Sequence, residues 1–365
     1  MKKHQVKGYL LELVLAKLLK VNGYDLVITT STDIVQRGNG LNVKGRGGYH
    51  QFDSLGTFRI TPPFVYPIRL FLEAKFYAAT YKVGIDRVRM GVGILQDVNT
   101  NYSTVHMTSV ELELPKYNYN YTIFSTSGFT DDAQRMAIAH KIYLMDLSSG
   151  CYSWIKDFIN QIVDRLFNLH SVNGESIGKD IVNDFKEKFT TWIGNLNDYS
   201  LNNWIDIDYQ DSVISEFKHR LEVVDSIYIA STKSSQIIAL IPDNDDKFRE
   251  SLRRNPHQDV TITWNESENG TWIVRPTVDN GEYRLTFQLP PIIQDYIFNN
   301  SVNQYDSAYD EKRRSFGLLS FIAYLDNENP TLCTLKFNEE ETKTLVGQYN
   351  HQLRLESRDD KTCVN

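Results

Sequence analysis

The segment IRLFLEAKFY, residues 68–77, limits what this chain can fold into more than any other stretch. Its apolar and aromatic residues suit a buried strand. Glu73 and Lys75 interrupt it, and side chains two apart on a strand share one face. A carboxylate and an ammonium therefore project together from an otherwise apolar strand. Taken alone, a Glu-x-Lys tripeptide is common and reads as a solvated face with a weak ion pair. Its neighbours along the chain change that reading.

Residues 5–22 predict an amphipathic helix, with Leu10, Val14, Leu18 and Val21 at helical spacing. Glu12 and Lys17 interrupt its apolar run and no small-residue cleavage site follows, so it is not expected to be a signal peptide. Strands are predicted over 24–34, 49–60 (with a turn inside) and 68–77, and a Gly-rich basic loop over 36–48. A helix over 83–98, a Tyr/Asn-rich loop over 99–120 and a strand over 121–129 follow. Thr130 is placed to cap a helix whose first turn carries Asp131 and Asp132, and IYLMDLSS is a further strand. This order predicts an α/β class, with a mixed central sheet flanked by helices in residues 1–150. Beyond 151 come two helices, then strands joined by turn signals. An α+β domain over 151–350 and a polar tail over 351–365 are expected.

Composition narrows the class. At 365 residues, 41% hydrophobic and 23% charged, the chain is an ordinary globular mix with no membrane-spanning stretch. Cys151, Cys333 and Cys363 are few and far apart, which excludes a disulfide framework or CxxC metal site and makes a reducing cytoplasm the expected location. The net charge of −7 is uneven: residues 1–150 carry 17 Lys and Arg against 12 Asp and Glu, leaving 22 against 34 in the remainder. A basic half can face phosphates, and chance segregation explains the split equally well.

The candidate chemistry rests on Asp53, at a strand end, and Glu73 on the next strand. Antiparallel pairing places the two carboxylates together, where they repel unless a cation lies between them. Hard oxygen ligands without His or Cys suit Mg²⁺, with Mn²⁺ as the alternative, and the Ala74 carbonyl offers a further ligand. Lys75 on the same side can stabilise negative charge at phosphorus, which points to phosphodiester hydrolysis. Glu12, on the first helix, can reach the same cluster.

The segments GYLLELVLAKLLKVNGYDLVI, GRGGYHQFDSLG, LFLEAKFY, VGIDRVRMGVGIL and FSTSGFTDDAQRMAIAHKIYLMDL, spread over residues 5–148, resemble the PD-(D/E)xK nuclease superfamily, and its Mrr-like restriction endonucleases most closely. The resemblance implies a restriction-endonuclease-like core. It implies metal-binding acids at Asp53 and Glu73, a lysine at Lys75 and a helical glutamate at Glu12. Phe52 stands where many members have proline, a departure that Mrr-like members share. An active Mg²⁺-dependent endonuclease of double-stranded DNA is implied, in restriction or antiphage defence. The acidic remainder beyond 150, outside the resemblance, is expected to bind a protein partner, oligomerise or regulate rather than to bind DNA. Two alternatives stand beside it: a nuclease subunit activated by a partner ATPase or sensor, and a non-catalytic DNA-binding scaffold. The chain has no GxxxxGK[ST] motif of its own.

Other residues carry two readings. Gln51 shares the Asp53 face and can hold water or substrate, whereas His50 points away and reads as a packing residue. Arg37, Lys44 and Arg46 are either a backbone grip or solvated loop charge. Ser125, Thr126 and Ser127 either bind phosphate or form a turn with a helix cap. The tryptophans Trp154, Trp192, Trp204, Trp264 and Trp272 read as core rather than as base-stacking platforms.

Overall fold

The computed structural model describes residues 1–38, 40–100, 117–171, 174–194, 212–233, 236–265, 271–278, 282–292, 294–295, 312–326 and 329–344. Most of the expected 99–120 loop, Trp204, Cys363 and the whole 351–365 tail lie outside these residues. The chain divides into two compact units, one of Met1–Ile227 with Asp326–Pro330, the other of Tyr228–Leu325 continuing from Thr331.

The first unit runs α1 (Lys3–Val21), β1 (Tyr24–Leu26), β2 (Ile34–Arg37), β3 (Gly40–Lys44), β4 (Tyr49–Gln51), β5 (Ser54–Phe58), β6 (Ile68–Lys75), α2 (Ile85–Asn99), β7 (Asn118–Ser125), α3 (Asp131–His140), β8 (Ile142–Asp146), α4 (Ser153–His170), α5 (Lys179–Gly194) and α6 (Ser212–Val223). Its main sheet has the order β1-β5-β6-β7-β8. β1, β5 and β6 pair antiparallel, and β6, β7 and β8 pair parallel. This is a mixed α/β arrangement. Thr130 caps α3 as its position predicts, its Oγ1 accepting from the Ala133 N–H at 3.3 Å.

Two expectations about the first unit are corrected. The basic segment 36–48 is not simply a loop: β2, β3 and β4 form a separate three-stranded sheet. Gly38 takes φ +60° at the β2–β3 turn, a left-handed conformation that glycine adopts at little cost. Paired Ile34 and Val43 supply its buried face. The first helix is not amphipathic with one wet side. From Leu10 to Lys20 only Glu12 escapes full burial. A helix apolar all round must be covered all round. The sheet covers one side of α1, while α4 and α5 pack elsewhere on it.

That burial also moves the expected boundary from 150 to 227. Lys17 Nζ pairs with Asp225 at 2.9 Å and lies over the Trp192 ring at 5.1 Å. Asn22 Nδ2 donates to the Leu18 and Ile227 carbonyls at 2.8 and 2.9 Å. The helices after 150 thus complete the first unit rather than open the second. Residues 151–227 carry 7 Lys and Arg against 13 Asp and Glu, which offsets the 17 against 12 of residues 1–150. The unit that holds the candidate site is therefore near neutral, not basic.

The second unit is a closed barrel rather than an α+β domain spanning 151–350. It contains β9 (Tyr228–Thr232), β10 (Ile237–Pro242), α7 (Asp245–Arg254), β11 (His257–Asn265), β12 (Thr271–Pro276), β13 (Leu285–Phe287), β14 (Leu318–Tyr324) and β15 (Pro330–Phe337). The strand order is β10-β13-β12-β11-β15-β14-β9, and β9 closes on β10. Closure leaves no strand edge to aggregate. Trp272, Phe287 and Phe316 stack within its core, and Phe248 and Leu252 of α7 join them.

In the first unit, Leu55, Phe71, Tyr121 and Ile123 form one core with Val88 and Val98 of α2 and Ala133 and Ala137 of α3. Gly91 of α2 sits against the Tyr121 ring, where an added Cβ would lie 2.9 Å from Cε1. We predict that Gly91→Val destabilises the chain by about 1–3 kcal/mol through overpacking. Urea denaturation of the variant beside wild type checks it.

Candidate active site

β5 begins at Ser54, opposite Leu72 of β6. The next backbone donor on that side of β6 is the Ala74 N–H, which a longer β5 would have paired. Asp53 takes the strand's place, its Oδ2 accepting from that N–H at 2.7 Å. Backbone groups of successive strand residues point to opposite neighbours. The Lys75 carbonyl accepts from the Thr126 N–H at 3.0 Å, on the β7 side. The Ala74 carbonyl therefore faces the Asp53 side together with its own N–H.

Glu73 and Lys75 share a face as predicted, with Glu73 Oε1 and Lys75 Nζ 2.5 Å apart. Glu73 is buried. Its other oxygen, Oε2, accepts from the Tyr121 hydroxyl. Tyr121 lies opposite Phe71 in the parallel β6–β7 register, and their rings stack at 5.0 Å. The stacking aims the hydroxyl along the strand at Glu73. Burial, then the neighbouring Glu73 charge, pushes the Tyr121 hydroxyl far above its ordinary range, so it stays a donor.

Glu12 and Asp53 both line a cleft of about 490 Å³ within the first unit, together with Tyr9, Gln36, Gln51 and Lys186. Glu12 Oε2 pairs with Lys186 Nζ of α5 at 2.6 Å. Burial raises the Glu12 carboxyl from 4.5 to about 7, against the pull of Lys186 and with a further push from Asp53. Burial likewise raises Asp53, against the Ala74 N–H and Lys75 and with a smaller push from Glu73. Three carboxylates thus feel one another in a partly dry place, and two ammonium groups stand among them.

The structure brings Asp53, Glu73, Ala74, Lys75 and Glu12 into one neighbourhood. Gln51 lines the cleft, whereas Glu73 and Lys75 are not among the residues that line it. Arg37, Lys44 and Arg46 are exposed and outside the cleft lining. The Arg37 guanidinium covers the Tyr49 ring at 4.2 Å. Ser125 and Ser127 follow their turn reading, not the phosphate one. Both are buried; Ser125 Oγ donates to the Gly128 carbonyl at 3.1 Å and Ser127 Oγ to the Tyr81 carbonyl at 2.7 Å. His50 Nε2 is 2.7 Å from Asp97 Oδ2, and the same carboxylate accepts the Gly47 and Gly48 N–H groups, so this histidine belongs to the loop's framework.

Sequence reading missed two site residues. Tyr121 could be found only through the β6–β7 register. Lys186 lies in the KEK run of α5, where it looks like any solvated lysine.

A hard-cation site is a matter of donor chemistry. Among the described residues no group of three or more His, Cys, Asp and Glu side chains is arranged to hold a metal. Mg²⁺ keeps several waters and takes one or two carboxylates, so Asp53, Glu73 and the Ala74 carbonyl suit it without a complete protein cage.

No protein-family model matches the chain, and no curated protein matches it. It is similar to the crystal structure of AF1548, a protein of unknown function, at 14% identity over 59% of this chain and 98% of that one, with a TM-score of 0.32. At that score the likeness carries no argument.

Two predictions follow from the geometry. Tyr121→Phe leaves a buried Glu73 oxygen without its donor and lowers stability by about 1–3 kcal/mol, measurable by chemical denaturation. Because folded Glu12 holds its proton up to about 7 rather than 4.5, the folded state binds more protons across that window. Stability then falls as pH rises from 4.5 to about 7. Glu12→Gln flattens this decline in urea titrations run in a chelator, and an unchanged slope contradicts the assignment.

Proposed function

We propose that this chain is a Mg²⁺- or Mn²⁺-dependent endonuclease of double-stranded DNA, of the restriction-endonuclease-like type. The observation that carries the reading is the Asp53 carboxylate seated on the Ala74 N–H, next to a Glu73–Lys75 pair on the same strand. Surface ion pairs are common; a second carboxylate fixed at the end of a neighbouring strand is what a solvated face does not require. The five motif segments, in the order the nuclease family has them, support the same reading.

In this reading Asp53, Glu73 and the Ala74 carbonyl would hold the metal. A bound Mg²⁺ supplies Lewis-acid polarisation of a phosphoryl oxygen and a more acidic water. Lys75 leaves its pairing with Glu73 to face the phosphate, where its ammonium offsets the negative charge that develops at phosphorus. Tyr121 keeps Glu73 oriented through Oε2. Glu12 holds or releases a proton beside Asp53 at neutral pH. Burial and strand pairing fix these groups, which is what catalytic placement needs. The barrel unit serves recognition or partner binding, with a role in restriction or antiphage defence.

Purified chain incubated with supercoiled plasmid and Mg²⁺ or Mn²⁺ is expected to nick or linearise it. Asp53→Asn, Glu73→Gln and Lys75→Ala should each lower the rate by roughly 10²-fold or more. A wild-type chain that cleaves with neither metal, or a Lys75→Ala variant as fast as wild type, refutes the reading.

A further inference from the structure

The cleft beside Asp53 has an unexpected contributor. Lys186 stands on α5, well outside the motif segments, and reaches Glu12 of α1 at 2.6 Å. Its side chain remains 37% exposed, so the ammonium is presented to the cleft rather than sealed behind it. The aromatic face of Tyr9 lies 4.3 Å from Nζ and steadies it. The amide side chains of Gln5, Gln36 and Gln51 line the same cleft.

The electrostatics of this cleft need such a group. Glu12 and Asp53 line it, and both would repel a polyanion entering toward Asp53. Arg37, Lys44 and Arg46, the cations that the sequence offered for gripping a phosphate backbone, lie outside it. Lys75 does not line it either. Among the described residues that line the cleft, Lys186 is the one lysine or arginine; the Met1 ammonium also lines it and donates to the Ile177 carbonyl. The exposed ammonium and the three amides suit a stretch of sugar-phosphate chain on the polar side of the cleft, and Leu13, Val27, Leu41 and Phe52 give it an apolar side.

We propose that this cleft is the path of the DNA backbone into the site, and that Lys186 anchors the phosphate next to the one attacked. The proposal rests on the nuclease reading above for the identity of its ligand. Lys186 exchanges its Glu12 carboxylate for a backbone phosphate when DNA enters, with no covalent step. α5 thereby becomes part of the substrate-binding surface as well as a support for α1.

Binding separates this proposal from catalysis. Fluorescence anisotropy of a labelled DNA duplex is followed with the full chain in Ca²⁺, over a series of salt concentrations. Lys186→Gln should weaken binding several-fold and reduce the salt slope by about 1, the value for one lost phosphate contact. Lys186→Arg should restore both. Glu12→Gln, which frees the ammonium, should bind at least as tightly as wild type. A merely structural ion pair predicts instead that Lys186→Gln and Glu12→Gln weaken binding alike, with the salt slope unchanged, and that result overturns the proposal. So does a wild-type chain that binds no duplex. Failure of the nuclease reading shows separately, as intact plasmid with Mg²⁺ or Mn²⁺ despite Lys186-dependent binding.

Discussion

A helix buried on every side holds the first unit together. α1 brings a nearly unbroken apolar surface from Leu10 to Leu19, each fully buried apolar side chain contributing roughly 1.5–3 kcal/mol. The sheet accounts for one side only, so α4 and α5 must close over the helix. The consequence falls on its charged residues, which have nowhere dry to go unpaired. Lys17 finds Asp225, Lys20 finds the Gly194 carbonyl at 3.3 Å and Asp25 at 3.6 Å, and Glu12 finds Lys186. The packing that makes the unit stable thus also sets a carboxylate and a lysine in the candidate cleft.

A second constraint is local. Because β5 begins only at Ser54, the Ala74 N–H of β6 is left without a strand partner, and Asp53 satisfies it. A strand end thereby becomes a point where a carboxylate is fixed against a neighbouring strand's backbone. The Glu73 carboxylate is fixed differently, by Lys75 on one oxygen and Tyr121 on the other. Like charges brought this close raise one another's proton affinity unless cations intervene. Two ammonium groups partly fill that role, and a hard divalent cation would complete it.

The two units cover their sheets by different means. The barrel closes β9 on β10, and Phe248 and Leu252 of α7 complete its core around Trp272. The open sheet of the first unit needs helices on both faces. α2 and α3 serve one face through Val88, Val98, Ala133 and Ala137, and α1 serves the other. Gly56 shows how tight the second face is, since an added Cβ would lie 2.8 Å from Tyr24 and 3.3 Å from Leu19.

Period and end signals determined much of this protein by themselves. The apolar strand of residues 68–75, the Thr130 cap and the Glu73–Lys75 pair are local facts, because strand alternation and helix capping depend on residues only a few positions apart. The α/β class of the first unit follows from the same local order. Tertiary structure decided what depends on distant partners. Whether α1 has a wet face depends on α4 and α5. Whether residues 36–48 pair as strands depends on β4, and whether Tyr121 meets Glu73 depends on a parallel register that no short stretch encodes. The boundary at 227 and the arrival of Lys186 in the cleft have the same cause. Both result from burying a helix whose apolar surface exceeds what one sheet can cover.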